Sequence, residues 1–292
     1  MIDAQVRPAA VLAPRAPGLD LRRLSRLGIY GLLLVAAVFY IIPVYLLFMT
    51  GLKSFSEAAN VALMWRLPQA ANLDSFEEAW RLISPNFMNS AKIALPAAVI
   101  SSILGSVNGY ILAKWRFRGS ETLFTLILFG MFIPYQSILI PLLQVESSFG
   151  LYGTLHGLVI VHIIYGIPIT TLIFRNYYVG IPEELVEASR IDGAGFFGIY
   201  RHILLPLSIP GFVVVMIWQF TSAWNDFLFA VTLTKQSTWP VTVAVNNLAG
   251  SFEVAWNVQM AGALIAALPT LLTYVVLGRY FMRGLLAGSL KG

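Results

Sequence analysis

Six stretches of about 20 largely apolar residues recur along this chain, and they restrict it to folds that exist inside a membrane. A helix of about 20 apolar residues crosses the hydrocarbon core of a bilayer. The chain is 58% hydrophobic and only 11% charged, whereas a soluble domain carries about 25% charged residues. We therefore predict an all-α polytopic membrane protein with six transmembrane helices. The stretches are residues 29–51, 90–113, 123–143, 155–174, 207–233 and 258–281.

Basic residues are distributed unequally between the two sides of this predicted bundle. Six spans place both termini on one side, together with the loops that follow the second and fourth spans. That side carries 14 of the 19 Lys and Arg residues, and the opposite side carries 5. Because cytoplasmic loops are enriched in Lys and Arg, both termini are predicted to be cytoplasmic and residues 53–88 external. Residues 1–27 are expected to form a disordered cytoplasmic tail, followed by a single transmembrane domain over residues 28–292.

The sequence lacks the residue patterns of the common catalytic and metal sites. Cys is absent, which excludes disulfides and thiolate chemistry. The sequence also has no Gly-rich phosphate loop, no paired-His metal motif and no G-x-S-x-G nucleophile elbow. We therefore expect no catalytic residue, no metal site and no bound cofactor in this chain. The net charge of +5 is assigned to basic cytoplasmic loops rather than to a nucleic-acid partner.

Ionisable side chains within the spans are few, which argues against a proton-coupled carrier, because such carriers use intramembrane Asp, Glu or His relays. Asp226 is expected near the external end of the fifth span, where water solvates it. His156 and His162 in the fourth span are interpreted as hydrogen-bonding groups between helices. Uphill transport by this chain would then need energy from another subunit.

Small residues recur at a spacing of four in the second span, at Ser101, Gly105 and Gly109. Small residues at this spacing let helix backbones approach closely. The pattern alone fits a contact with a partner helix and a contact within the same chain equally well.

A charged, turn-forming segment joins the fourth and fifth spans, and residues 181–210 read IPEELVEASRIDGAGFFGIYRHILLPLSIP. Pro182 suits the first turn of a helix, and Asp192-Gly193 is a turn and helix-stop signal. A second short helix is predicted from Phe196 to about Leu204. The apolar residues are predicted to share a face within each helix: Leu185, Ala188 and Ile191 in the first, and Phe196, Ile199, Tyr200 and Ile203 in the second.

Each of these two helices is too short to span a membrane, and each has an apolar face that needs cover. The pattern alone fits a helix pair lying in the lipid interface about as well as a docking surface for a soluble partner.

Several residues at fixed offsets in this segment resemble the EAA loop of permease subunits of ABC importers. They are Glu187, Gly193, Ile203, Leu205 and Pro206, whereas Ser189 and Tyr200 depart from the family's usual Ala and Phe. Other stretches resemble carbohydrate-importer permeases: FMNSAKIAL, GYILAKWRFRG, MFIPYQSILIPL and WNDFLFA. The ending GRYFMRGLLAGSLKG is similar to the cytoplasmic tail of the maltose-type subunit.

The resemblance implies a multi-pass subunit of a prokaryotic inner membrane that works in a heteromeric complex. The expected partners are a second permease subunit, two ATPase subunits that use ATP and Mg, an external sugar-binding protein and membrane lipid. The EAA-like loop, about residues 181–206, would dock in a cleft of one ATPase and transmit its closure to the pore.

The resemblance also implies roles for individual residues of the EAA-like loop. Glu187 would supply charge for the ATPase contact, Gly193 would supply the turn, and Phe196 and Ile199 would fill the cleft. The remaining residues assigned to this coupling loop are Ala188, Ser189, Asp192, Ala194, Ile203, Leu205 and Pro206.

A possible substrate path includes Trp224, Asn225 and Asp226. Trp224 and Asn225 could stack on and hydrogen-bond a pyranose, although packing and interfacial anchoring is the favoured interpretation of both. A glucose-like monosaccharide is the expected substrate, from a loose similarity of the last third of the chain, and an oligosaccharide or a polyol phosphate stays open. The competing hypotheses are a self-sufficient secondary carrier or channel for a small solute and a polytopic membrane enzyme.

Overall fold

The computed structural model describes residues 21–115, 117–250 and 254–289, with side chains from residue 25 to residue 278 of these ranges. Within these ranges every regular element is a helix, as the sequence predicts. The α-helices are α1 (Leu21–Gly51), α2 (Phe55–Ala59), α3 (Asp74–Lys114), α4 (Ser120–Phe129), α5 (Tyr135–Ser148), α6 (Leu155–Val179), α7 (Glu183–Ile191), α8 (Phe196–Ile199), α9 (Leu205–Leu207), α10 (Ile209–Trp224), α11 (Leu228–Leu233), α12 (Val241–Asn247) and α13 (Trp256–Ser289). There are 3-10 helices at Val61–Leu63, Gly130–Phe132 and Gln236–Thr238, and a π-helix at Tyr200–Leu204.

Four of the six apolar stretches of the sequence fall on continuous helices, whereas the third falls on α4 and α5 and the fifth falls on α10 and α11. In the described part of the chain, α1, α3, α6 and α13 are long and apolar enough to cross a membrane. The count rises to six when each bent pair is taken as one span. One pair, Ser120–Phe132 with Tyr135–Ser148, is bent by 97°, and the other, Phe196–Leu207 with Ile209–Trp224, is bent by 75°.

Prolines account for these bends. Pro134 lies at the first break, and Ile133 before it has the extended conformation that a following proline favours, with ψ 116°. At the second break Pro210 is in the first turn of α10, and it has no N–H to continue the hydrogen bonds of the preceding helix. The fifth predicted span is also interrupted between α10 and α11, at residues 225–227.

The chain divides into two units, Met1–Leu46 and Leu47–Gly292. In the first unit the structure describes the greater part of α1, which begins at Leu21, inside the segment that the sequence assigns to a tail; residues 1–20 of that expected tail lie outside the described residues. In the second unit α3 packs chiefly against α6, and α10, α12 and α13 also pack against α3.

Two glycines bring α3 and α6 together within the second unit. A Cβ built on Gly105 would lie 2.5 Å from the Thr170 Cβ, and one built on Gly109 would lie 2.7 Å from the Phe174 Cβ. Ser101, at the same spacing, is fully buried and donates a hydrogen bond to the Ala97 carbonyl oxygen at 2.6 Å. Of the two interpretations of this pattern, the structure supports close packing within the chain.

Candidate functional site

The EAA-like loop is built around a glycine turn between two short helices. α7 begins after Pro182 with two glutamates, which favour the positive end of the helix dipole. The chain then turns at Gly193, whose φ is +83°, a conformation that a side chain makes costly. The Gly193 N–H donates to the Arg190 carbonyl at 3.0 Å and the Ala194 N–H to the Ser189 carbonyl at 2.9 Å. The turn and helix stop predicted at Asp192-Gly193 are therefore confirmed.

The inner face of α7 is formed by Val186, which is fully buried, and Ser189, which is 6% exposed. The Ser189 hydroxyl donates to the Leu185 carbonyl oxygen at 2.6 Å, so the buried hydroxyl has a hydrogen-bond partner. The face predicted from Leu185, Ala188 and Ile191 is the opposite one, and all three residues are exposed. The uncovered apolar face of α7 thus exists and points away from the rest of the chain.

The second half of the loop differs from the expectation that Phe196 and Ile199 are presented to a partner. Ile199 is fully buried, and the Phe196 ring packs on Tyr110 and Trp115, with centroid distances of 4.8 and 5.2 Å. Ile199 therefore belongs to the core of this chain, and Phe196 is half-buried against it. Phe197, which is 79% exposed, is the large apolar side chain that this half of the loop leaves uncovered.

The other residues assigned to the loop are divided between the interior and the surface. Ile203 and Leu205 are half-buried, and Pro206 is exposed, whereas Leu204, which the helical spacing did not select, is fully buried. The exposed surface of the loop combines apolar and acidic side chains. We define the loop surface as Leu185, Glu187, Ala188, Ile191, Asp192 and Phe197.

A buried lysine fastens the start of the loop to the end of α3. Lys114 Nζ donates to the Ile181 carbonyl oxygen at 2.7 Å and to Glu183 Oε2 at 2.9 Å. The Lys114 side chain is only 4% exposed, and that of Glu183 is 49% exposed. The ammonium group therefore satisfies a buried carbonyl and orients α7. The sequence did not predict this role for Lys114, because the residue is simply a lysine at the end of a span.

Hydroxyl groups fasten the end of the loop to the bundle. The Ser106 hydroxyl shares hydrogen bonds with Tyr178, at 2.6 Å, and with Tyr200, at 2.9 Å. Tyr178 in turn donates to Ser208 at 3.1 Å. This network joins α3, α6, the π-helix and the bend before α10. The loop surface is consequently carried on a segment held to the bundle at both ends.

The possible substrate path is only partly assembled in the structure. Asn225 and Asp226 line a cavity of about 900 Å³. Trp224 does not line it: this residue is 2% exposed, and its Nε1 donates to the Ala266 carbonyl at 2.9 Å. Its ring also packs on Phe87, with centroids 5.0 Å apart. Packing, the favoured interpretation of Trp224, is confirmed.

Asp226 is more enclosed than the sequence suggests, because its side chain is only 12% exposed. Its two carboxylate oxygens accept hydrogen bonds from the N–H groups of Phe229, at 3.3 Å, and Ala230, at 2.9 Å. The carboxylate therefore caps the first turn of α11. His162 Nε2 lies 3.6 Å from Asp226 Oδ2 and has no hydrogen-bond partner among the described residues, whereas His156 is exposed.

The family model for binding-protein-dependent transport system inner membrane components matches residues 105–285, which include the EAA-like loop and both flanking spans. The chain belongs to this family. This inner membrane component is 35% identical, over 286 residues, to a xylose/arabinose import permease protein of Haloferax volcanii, covering 90% of this chain and 92% of the relative. It is 30% identical to a glucose import system permease protein of Saccharolobus solfataricus, covering 90% and 95%.

A more similar sequence over a shorter stretch is a probable ABC transporter permease protein of Pyrococcus horikoshii. The two are 56% identical over 186 residues, which is 63% of this chain and 68% of the relative. Among solved structures, a chain of a bacterial ABC transporter that imports the acidic polysaccharide alginate superposes with a TM-score of 0.76 at 21% identity. That match covers 92% of this chain and 100% of the solved chain, and it shows that the fold is shared.

Proposed function

We propose that this inner membrane component is the pore-forming subunit of an ATP-driven, binding-protein-dependent sugar importer. The observation that carries the proposal is the EAA-like loop, an uncovered apolar and acidic surface fastened at both ends to a membrane bundle. Membership of the family and relatives named as xylose/arabinose and glucose permeases support it.

The loop surface would dock in a cleft of an ATPase subunit. Ile191 and Phe197, exposed by 87% and 79%, would fill the apolar part of that cleft, and Glu187 would make the charged contact. Since Lys114 and the hydroxyl network hold the loop to α3 and α6, movement of the ATPases would be transmitted to the spans. Closure of the ATPases would thereby switch the pore from inward-facing to outward-facing.

The remaining partners of the proposed complex are a second permease subunit, a second ATPase and an external sugar-binding protein. ATP and Mg would be bound and used by the ATPases, and the subunit described here would carry no catalytic residue of its own. A glucose-like monosaccharide is the proposed substrate.

The proposed orientation places both termini and the EAA-like loop in the cytoplasm and residues 53–88 outside. The unequal distribution of basic residues supports it. Because Ala70 and Arg190 are both exposed and the chain has no native Cys, Ala70→Cys and Arg190→Cys each create a single labelling site. In intact cells an impermeant thiol reagent should label position 70 only. Labelling at position 190 but not at position 70 would overturn this orientation.

Co-purification and reconstitution test the function itself. The chain is produced with its partner subunits, and sugar uptake into proteoliposomes is measured with ATP, with an ion gradient instead of ATP, and with the chain alone. We expect uptake only in the complete complex and only with ATP. Uptake by the chain alone on an ion gradient would overturn the proposal in favour of a self-sufficient carrier.

A substitution on the loop surface tests the docking step. Ile191→Glu should reduce the amount of ATPase that co-purifies with the complex, because it inserts a charge into an apolar contact. Val61→Glu makes the same kind of change at an external residue that is 78% exposed, and it should leave ATPase recovery unchanged. Equal ATPase recovery from both variants would contradict docking through Ile191.

A further inference from the structure

The bend that leads from the EAA-like loop into the fifth span is held by contacts with α6. The helical segment Phe196–Leu207 contains the end of the loop, Ile209–Trp224 is α10, and the two meet at an angle of 75°. Ser208 lies between them and is fully buried. A sharp kink interrupts the hydrogen bonds of a helix, and here Pro210 has no N–H to donate. Carbonyl groups before the kink therefore need other donors.

Two consecutive tyrosines at the end of α6 donate hydrogen bonds to this bend. The Tyr177 hydroxyl donates to the Leu207 carbonyl oxygen at 2.8 Å, and the Tyr178 hydroxyl donates to the Ser208 hydroxyl at 3.1 Å. Ser208 in turn donates to the Leu205 carbonyl oxygen at 3.0 Å. Two carbonyl groups at the bend are thus tied to α6, one directly and one through Ser208. The angle of the bend therefore depends on contacts with another helix.

Aromatic rings of α6 also pack closely on the first turn of α10. A Cβ built on Gly211 would lie 3.3 Å from Cδ2 and 3.5 Å from Cγ of Tyr177, so the absence of a side chain at Gly211 lets this ring lie against the helix backbone. The Phe212 ring packs on that of Phe174, with the centroids 4.5 Å apart. One turn of α6 therefore holds both the bend and the start of α10.

The same turn of α6 also contacts the buried side of the EAA-like loop. Val186 of α7, Ile199 of α8 and Leu204 of the π-helix are fully buried, and they belong to one core cluster with Phe174 and Tyr178. The loop, the end of α6 and the start of α10 thus share one core. A displacement of the loop moves α10 only if the bend keeps its angle, because a break without support would open and absorb the movement.

From these contacts we infer that Tyr177 and Tyr178 are positioning residues for transport. They hold the angle of the bend, so that a displacement of the EAA-like loop moves α10 and does not open the break at Ser208. The inference rests on the proposed function and adds the residues that carry the movement from the loop to the fifth span. Without these hydroxyls the ATPases would still close on the loop surface, but α10 would move less.

The number of sugar molecules taken up for each ATP hydrolysed measures this role. The complete complex is reconstituted in proteoliposomes with ATP and sugar-loaded binding protein, and both rates are measured in the same preparation. The probe is whichever of glucose, xylose and arabinose the wild-type complex takes up fastest. Tyr177→Phe removes the hydroxyl and keeps the ring that packs on Gly211. Tyr152→Phe is the control, because it removes a tyrosine hydroxyl just before the opposite end of α6.

We expect Tyr177→Phe to hydrolyse ATP near the wild-type rate but to take up about fivefold fewer sugar molecules per ATP, the usual effect of losing one hydrogen bond. Tyr178→Phe should also lower this ratio, and Tyr152→Phe should keep the wild-type ratio. A loss of folded complex would reduce uptake and hydrolysis together and would leave the ratio unchanged.

A disulfide that replaces the tyrosine contact gives a second test, because the chain has no native Cys. Since a Cβ on Gly211 would lie 3.5 Å from Tyr177 Cγ, the two Cβ atoms are close to the separation of about 3.5–4.5 Å that a disulfide needs. The double variant Tyr177→Cys with Gly211→Cys should have a low ratio when reduced. Oxidation should restore most of the wild-type ratio, because the bond again fixes α10 to α6. The wild-type complex, treated with the same oxidant, controls for Cys residues of the partner subunits.

Three results would overturn the inference while leaving the proposed function intact. Tyr177→Phe could keep the wild-type ratio, or the oxidised double variant could stay uncoupled although mass spectrometry shows that the disulfide has formed. The third is a lower recovery of ATPase with Tyr177→Phe, which would mean that the hydroxyl is needed for docking. A wild-type complex that takes up none of the three sugars with ATP would instead count against the proposed function.

Discussion

Gly109 and Phe174 meet where α3 crosses α6, so closely that a Cβ on Gly109 would lie 2.7 Å from the Phe174 Cβ. The backbone nitrogen of Arg175 would lie equally close, also at 2.7 Å. Gly109→Ala must therefore push two helix backbones apart, and overpacking of this kind costs about 1–3 kcal/mol. We expect the variant to unfold at a lower temperature in detergent, measured by differential scanning fluorimetry.

Gly278→Ala is the matched control for this substitution. Gly278 is also within a long helix, α13, but a Cβ built on it has nothing within 4 Å. Since Ala is a better helix former than Gly by about 1 kcal/mol, this control should keep or slightly raise the unfolding temperature. A Gly109→Ala protein as stable as Gly278→Ala would contradict the close crossing of α3 and α6.

Lys114→Met should loosen the EAA-like loop. The substitution keeps an unbranched side chain but removes the ammonium group that binds the Ile181 carbonyl and Glu183. A buried acceptor left without its donor costs about 1–3 kcal/mol. We expect faster amide hydrogen exchange in α7, measured by mass spectrometry, and lower ATP-dependent uptake by the complex.

Glu183→Gln separates the ion pair from the carbonyl contact. The Glu183 side chain is 49% exposed, and ion pairs at such positions contribute only about 0–1 kcal/mol. In this variant Lys114 still binds Ile181, so hydrogen exchange in α7 should stay near that of the wild type. If Glu183→Gln loosens α7 as much as Lys114→Met does, then the ion pair, and not the carbonyl contact, holds the loop.

Acidic pH should loosen the segment that follows α1. Glu57 accepts hydrogen bonds from the N–H groups of Gln69, at 2.9 Å, and Ser54, at 3.2 Å, and these bonds hold the pKa of its carboxyl group below the ordinary value. A lowered carboxyl pKa stabilises the folded segment above the ordinary pKa, and this stabilisation is lost as the pH falls through the lowered value. Hydrogen exchange of residues 54–69, corrected for the intrinsic effect of pH, should therefore rise over that window.

The variant Glu57→Gln tests whether the carboxylate is responsible for this change. Its amide does not titrate, so the corrected exchange of the segment should be fast at neutral pH and should not change on acidification. A wild-type segment that exchanges equally at neutral and acidic pH would refute the role of Glu57.

The turn of the EAA-like loop could be predicted because its signals are local. The prolines, Asp192 and Gly193 act on the backbone within a few residues, and the structure has the helix end and the positive φ where they suggest. In the second half of the EAA-like loop, the residues that face inward could not be predicted from a helical period of 3.6 residues. The π-helix at Tyr200–Leu204 spaces hydrogen bonds by five residues, so Ile199 and Leu204 are both fully buried and Ile203 is not.

Contacts between residues that are far apart in the chain also could not be predicted, because no sequence pattern marks them. Ser106 is 72 residues from Tyr178 and 94 from Tyr200 along the chain, and a serine or tyrosine in an apolar span has many possible partners. The cavity is similar, because its polar residues come from separate helices and only Tyr135, Asn225 and Asp226 belong to stretches that resemble the family. The enclosure of Asp226 was missed because it depends on the break between α10 and α11.

Gly193→Val should leave the chain folded and the complex assembled but should abolish coupled uptake. At a φ of +83° a β-branched residue is strongly disfavoured, and such backbone strain costs about 1–3 kcal/mol. No atom lies within 4 Å of a Cβ at this position, so the cost comes from the backbone and not from a clash. The turn would relax to another conformation and move α7 relative to α8, so that Glu187 and Phe197 could not both contact the ATPase.

Gly195→Val provides a close comparison two residues away. Gly195 also has nothing within 4 Å of a Cβ, but its φ of −78° is one that valine adopts readily. Membrane level, ATPase recovery and sugar uptake are measured for both variants in the same preparation. Uptake should be lost in Gly193→Val and retained in Gly195→Val, because only the first changes the backbone. Loss of uptake in both variants would assign the defect to added bulk at the ATPase contact. Wild-type uptake by Gly193→Val with the ATPases attached would show that the turn does not position the loop.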